Sequence, residues 1–256
     1  MMSDCTYYRD NDFNILKNML KKLITQTNFI YSLFFPDIKV PEDINKYINN
    51  IDDIKKNFNK LINKWNSENT KNITIKFFKS LLTYYHDEAL KHYKFILKEI
   101  EKLQKMNESN FFNNNPYKLK KTNYGHYHAP MMPYERMKYF KDFYKSCNEL
   151  QHILLHFHSF LTDLYFSRRF LDKSYITNGI LYCGAFHGAN IISLLIKEFD
   201  FKITHASHLK QSIEESNKLI HSIEKNSDLI LKVQELTYPD VIYQCSSLEG
   251  FPENLT

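Results

Sequence analysis

No glycine occurs in the first 124 residues of this 256-residue chain; all five glycines (Gly125, Gly179, Gly184, Gly188 and Gly250) come later. Glycine is the usual residue of tight turns and helix C-caps. A stretch this long without it folds most simply as long helices joined by Asn, Asp and Pro turns. The periodicity agrees. Ile15, Met19, Leu23 and Phe29 recur at helical spacing between Phe13 and Phe34, and Pro36 ends the run. Pro41-Glu-Asp places a proline and two acids where a helix begins, and a second helix is expected from there toward Trp65. A third is expected from about Ile75 to Met106, with Phe78, Leu81, Leu82, Tyr85, Leu90, Phe95 and Ile96 on its apolar face. Its first residues, Ile73 to Phe78, are β-branched and alternating, which also suits a short strand.

The pattern breaks at residues 108–133, an Asn- and Pro-rich stretch too long for an ordinary connection. It divides a helical region, 1–107, from a second region, 134–256, with 108–133 as a long loop or linker. The second region opens with a long helix from Tyr134 to Leu171, whose core stripe reads Leu150, Ile153, Leu154, Phe157, Leu161 and Leu164. After the Asn178-Gly179 turn, the residues predict a strand at Ile180–Cys183, a turn at Gly184–Gly188, a helix at Ala189–Phe199 and a strand at Phe201–His205. Strand, helix and strand in that order form a right-handed βαβ crossover. A further helix starts at Ser207 or Ser212 and stops before Pro239, and Val241–Cys245 is a candidate last strand. The expected fold is therefore α/β but predominantly helical: an N-terminal helical region followed by a C-terminal βαβ unit with a small parallel sheet.

Composition excludes several functions. Hydrophobic residues make up 43% and aromatics 15%, too many for a disordered chain. The net charge of +5 comes from cations interleaved with acids, and only four of the cations are arginines. A specific nucleic-acid partner is not expected, because that footprint clusters on one face. The four cysteines are far apart and form no CxxC pair, which argues against a zinc knuckle or a disulfide scaffold. The N-terminus has no apolar h-region of a signal peptide. The most apolar run, Ile180 to Ile196, is interrupted by Gly184, His187, Gly188 and Asn190, so no membrane span is expected and the chain reads as soluble.

Four groups of residues could carry chemistry. The first is the turn after the expected strand. His187 stands at a strand's carboxyl end, where α/β sheets bind ligands, with Gly184, Gly188 and Asn190 beside it at a helix N-terminus. Against that stands a capping role for His187 or Asn190. The second is a polar stripe on the long helix: Glu149, His152, His156, Asp163 and Ser167 share one face. His152 and His156, at i and i+4, have the spacing of a metal-ligand pair, though the glutamate of an HExxH motif is missing. Otherwise the stripe is a solvated helix face. The third is Asp163, Tyr165, Arg168 and Arg169. An arginine here either pairs with Asp163 or Asp172 or holds an anion bidentately. The fourth is His126-Tyr-His128 in the long loop, a lid or a ligand pair against an ordinary surface loop. Cys183 could serve as a nucleophile with His187 as its base, but in a buried strand it acts as a small hydrophobe.

The run from Leu161 through Asp163, Tyr165, Arg168 and Arg169 to Phe170 continues with Gly184-Ala-Phe-His187-Gly-Ala-Asn190 and Phe199-Asp-Phe-Lys-Ile. It resembles a set of uncharacterised proteins of mimivirus-like giant nucleocytoplasmic DNA viruses. The resemblance covers roughly residues 160–206. It marks Asp163, Tyr165, Arg168 or Arg169, His187 and Asn190, and implies the host cytoplasm or the virion as location. The Lys-, Asn- and Ile-rich composition fits an A/T-rich genome of that kind. The family has no activity to carry over.

Two functions follow. One is a soluble accessory or interaction protein without demonstrable activity, with an unknown protein or a small anionic ligand as partner. The other is a metal- or histidine-assisted hydrolase. Its catalytic residues would be His187, Asp163 and Arg168, with Gly184, Gly188, Asn190, Tyr165 and Arg169 binding ligand and His152 and His156 holding metal. No cofactor is expected on the first reading, and a divalent metal on the second. Whether the protein is an enzyme is open from sequence.

Overall fold

The computed structural model describes residues 10–40, 44–108 and 134–238. Seven helices account for most of them: α1 (Asp10–Phe34), α2 (Ile51–Asn63), α3 (Glu68–Glu108), α4 (Tyr134–Leu171), α5 (Ala185–Phe199), α6 (Ile213–Ser222) and α7 (Asn226–Thr237). A single 3-10 turn spans Ile44–Lys46. Residues 108–133, His126 and His128 among them, lie outside the described residues apart from the end of α3.

The described residues pack as two compact units that interleave in sequence: those within 1–32, 37–49 and 86–154 form one, and those within 33–36, 50–85 and 155–256 the other. Two helices, α3 and α4, contribute to both. In the first unit Phe13, Phe29, Ile96 and Ile100 are buried. There His86 stacks on Tyr31 at 4.1 Å, and its Nε2 is 2.9 Å from Asn28 Oδ1. In the second unit the core is aromatic and aliphatic. Phe77, Phe78, Leu81 and Leu82 of α3 are buried together with Phe157, Phe160 and Leu164 of α4. Phe160 lies 5.7 Å from Phe78 and 5.8 Å from Tyr85, ring to ring. The aliphatic end is built by Leu194 of α5, Ile220 of α6, and Leu229, Ile230 and Val233 of α7.

The expected βαβ unit is absent: among the described residues there is no strand and no sheet. Both segments that looked like strands lack a partner strand. Ile180 and Tyr182 stand almost fully in solvent. The backbone of Ile203 is matched by a side chain instead, since its N–H donates to Asn217 Oδ1 at 2.9 Å and its carbonyl accepts from Asn217 Nδ2 at 2.8 Å. An asparagine on α6 thus takes the place of a neighbouring strand. β-branched composition favours a half-buried pleated surface, and without a second strand that preference has nothing to act on. The same holds for Ile73–Phe78, which is helical. The Val241–Cys245 segment lies outside the described residues.

Other boundaries moved by less. The expected helix from Pro41 toward Trp65 is a 3-10 turn followed by α2, and α2 starts after Asn50, which has a left-handed backbone (φ 57°). Ser212 opens α6, where its Oγ accepts from the Glu215 N–H and the Glu215 carboxylate accepts from the Ser212 N–H. In that reciprocal capping box the Ser212 hydroxyl, which also donates to the Glu215 carboxylate at 2.7 Å, and then the Ser212 N–H hold the Glu215 carboxyl below its usual range. The helix expected to run to Pro239 breaks at residues 223–225 into α6 and α7. The expected Gly184–Gly188 turn is the first turn of α5, with Gly184 as its N-cap.

Candidate functional site

At 3.6 residues per turn, His156, Ser159, Asp163 and Ser167 fall along one side of α4. His156, Asp163 and Ser167 belong to the stripe whose alternative reading is a solvated face, yet they and Ser159 are buried. Glu149 and His152, further toward the N-terminus of the same stripe, are exposed. The stripe therefore passes from solvent into the core as α4 advances.

Asp163 is the centre of the buried part. Its Oδ1 is 2.5 Å from His187 Nδ1, and its Oδ2 accepts from Asn190 Nδ2 at 2.7 Å. Asn190 Nδ2 also donates to Ser159 Oγ at 3.1 Å. Ser159 gives its own hydroxyl hydrogen to the His156 carbonyl at 2.7 Å, and Ser167 gives its hydroxyl hydrogen to the Asp163 carbonyl at 2.7 Å. Burial pushes the Asp163 carboxyl above its ordinary range, while the hydrogen bonds from Asn190 and His187 pull it back. His187 is the one member that reaches solvent, with a third of its side chain exposed.

α5 delivers His187 and Asn190 together because they are three residues apart on one helix face. Neither caps the helix. Gly184 has no side chain, and α5 has no side-chain cap bond at its N-terminus. A Cβ added to Gly184 would meet nothing within 4 Å, whereas one at Gly188 would touch Cys183 Sγ at 3.7 Å. Cys183 is exposed rather than buried in a strand, and burial of its thiol together with the Asp163 charge pushes its pKa up.

The two histidines of the expected metal pair differ in burial. His152 is exposed. The His156 ring is buried between Tyr85, stacked at 4.8 Å, and Phe186, edge-on at 4.6 Å. Among the described residues, no group of three or more His, Cys, Asp and Glu side chains is placed to hold a metal.

Arg168 is not with Asp163 either. It stands on the opposite side of α4, together with Tyr165 and Arg169. Asp172, the other expected partner, is used elsewhere. Its carboxylate accepts from the Asn66 N–H at 2.7 Å and from the Ser67 N–H at 2.7 Å, just ahead of α3. A carboxylate there complements the positive end of the helix. The Arg168 guanidinium meets only the Lys64 carbonyl, at 3.4 Å through Nη1, and the Tyr165 ring, at 5.7 Å. Arg168 is buried, and its Nε makes no hydrogen bond.

These residues line a groove of about 660 Å³ between α2 and α4. Its floor is apolar, with Ile54, Phe58, Leu61 and Leu161. Its cations are Lys60, Lys64, Arg168 and Arg169, and no acid lines it. A second groove along α2 adds Lys55 and Lys56, with Asp52 the single acid there. Sequence reasoning missed Ser159 and the lysines of α2. Ser159 was legible, since it lies one turn before Asp163 on the same stripe. Lys60 and Lys64 were not, because only packing brings α2 against the end of α4.

The molecule is thus a helical protein whose α4 carries a buried His–Asp–Asn cluster on one side and a basic groove on the other. It belongs to a family of unknown function, DUF5847, whose model matches residues 50–256. Among curated proteins it is similar to three from Acanthamoeba polyphaga mimivirus, all uncharacterized. Protein R706 is 46% identical over 100 residues, covering 39% of this chain and 23% of the relative. Protein R160 is 42% identical over 124 residues, covering 48% and 28%. Protein R161 is 46% identical over 93 residues, covering 36% and 20%. The chain therefore spans about a quarter of the length of these relatives. No solved structure matches it. The expected giant-virus family is confirmed, and none of these relatives has an assigned activity. Among the described residues no helix is long and apolar enough to cross a membrane.

Proposed function

We propose that this chain is an interaction module that takes an anionic ligand with an apolar body into the groove between α2 and α4. One observation carries the reading: Arg168 is buried in that groove with no carboxylate beside it. Burying a charge is costly unless a partner or hydrogen bonds compensate. Here both acids of the neighbourhood, Asp163 and Asp172, are committed to other donors. A phosphate, sulfonate or carboxylate would supply the missing acceptor, because guanidinium presents paired N–H groups to such ions. Arg169, Lys60 and Lys64 are exposed at the rim and draw the anion in. Phe58, Leu61 and Leu161 receive the apolar part.

The site is testable with 8-anilinonaphthalene-1-sulfonate, which joins a sulfonate to an apolar ring system. Its fluorescence should rise on the full-length chain and fall on addition of inorganic pyrophosphate. The double variant Lys64→Glu, Arg169→Glu changes exposed residues only and should bind about tenfold more weakly, given what exposed charge pairs contribute. Equal affinity in the parent and the double variant would remove the groove as the site.

A further inference from the structure

The hydrogen-bond directions around Asp163 lead to one answer. An ionised carboxylate has no hydrogen to give, so toward Asn190 the Asp163 Oδ2 can only accept. That fixes the Asn190 amide with its Nδ2 toward Ser159 and Asp163. Asn190 Nδ2 then fills Asp163 Oδ2, and Ser159 and Asp163 are both acceptors from it. Asp163 Oδ1 remains to accept from His187 Nδ1. The imidazole is held as the Nδ1–H tautomer, and its Nε2 lone pair is left on the exposed side of the ring.

We infer that His187 is a general base oriented by Asp163 and Asn190, and that this site hydrolyses uncharged carboxylic esters. A buried carboxylate used only to tie two helices together is an expensive device, since apolar packing of the same volume is often as stable. A carboxylate that fixes an exposed imidazole is the arrangement proton transfer requires. The groups around the ring support an uncharged substrate. The charged group in contact with the ring is the Asp163 carboxylate, which disfavours an anion there, and Arg168 and Arg169 line the groove on the other side of α4. Space is open beside Gly184, and the uncapped N-terminus of α5 presents its positive end where negative charge develops.

In the first step Nε2 takes a proton from water as the water oxygen bonds to the ester carbonyl carbon. The tetrahedral intermediate then breaks its carbon–oxygen bond to the leaving group. The imidazolium returns the proton to the departing alkoxide. The products are a carboxylic acid and an alcohol, and Asp163 stays ionised throughout. His187 is the catalytic residue; Asp163 and Asn190 are positioning residues.

Hydrolysis of p-nitrophenyl butyrate by the full-length chain tests this. His187→Ala should lower the rate by about 100-fold, the lower range for a positioned general base. Asp163→Asn should lower the rate, and Asp163→Glu, which keeps a carboxylate for the Nδ1–H, should restore part of it; a purely structural role would not separate the two variants. Nitrogen-15 NMR of the unsubstituted protein should show His187 protonated on Nδ1, a readout independent of how the variants fold. A rate in His187→Ala within twofold of the parent, or an Nε2–H tautomer, would overturn the inference. Loss of hydrolysis in Cys183→Ser would overturn water as the nucleophile.

Discussion

The two sides of α4 between residues 156 and 169 treat buried charge in opposite ways. On one side the Asp163 carboxylate is enclosed with a donor on each oxygen, and the unanswered atom of its cluster is a neutral one, Asn190 Oδ1. On the other the Arg168 guanidinium is enclosed and answered by a single long contact to a backbone carbonyl. A satisfied buried network fixes geometry, and an unsatisfied one keeps a binding deficit. The first arrangement suits a group that must be aimed, the second a group that awaits its counter-ion. The contrast shows why burial alone did not distinguish the two residues: both are polar, both are buried, and only their partners differ.

The strongest way to break this contrast is Asp163→Ala. It leaves the Asn190 amide and the His187 ring without their acceptor, and should cost about 3–5 kcal/mol. Urea denaturation measures it, and a loss below about 1 kcal/mol, the net worth of an ordinary hydrogen bond, would mean that Asp163 is not the keystone of its side. Arg168→Met should act in the opposite sense. Removing an under-satisfied buried donor should raise stability by about 1 kcal/mol, while fluorescence of the sulfonate probe in the groove is lost. A destabilised Arg168→Met protein that still binds the probe would reverse the assignment.

Acidity sharpens the same comparison. The Asp163 carboxyl lies above its ordinary range in the folded chain, chiefly through burial. The folded state then holds its proton to higher pH than the unfolded state. That contribution is fully present below the unfolded carboxyl's range and is lost as pH rises through the folded value. Thermal melts should therefore show a fall in stability with rising pH through the mildly acidic range. The fall should be absent from Asp163→Asn and unchanged in Arg168→Met. Smallest of all, Arg169→Glu should shift stability by no more than about 0.5 kcal/mol, as exposed substitutions do. Its effect on probe binding should fade at high salt, where exposed charges are screened.

Much of the helical framework was legible from local signals. The glycine-free first half, the heptad-like stripes and the proline and serine boundaries led to α1, α3 and α4, with α4 bounded as expected at Tyr134 and Leu171. The Asp163, His187 and Asn190 positions were legible as polar residues that broke apolar runs. Their meeting in space was not. They lie 24 and 27 positions apart from Asp163, and no spacing rule connects an α4 residue to the first turn of α5.

Sequence by itself determined which segments coil, because helix bonds close within four residues and depend on neighbours along the chain. It also supplied the family resemblance around residues 160–206. Only tertiary structure decided that Ile180–Cys183 and Phe201–His205 are not strands, since a strand exists through its partner and here Asn217 took that place for Ile203. Only tertiary structure decided which of two buried charges was satisfied. A side chain's partners are chosen by packing across helices, and that choice separates Asp163, bonded to His187 and Asn190, from Arg168, which lines the groove between α2 and α4.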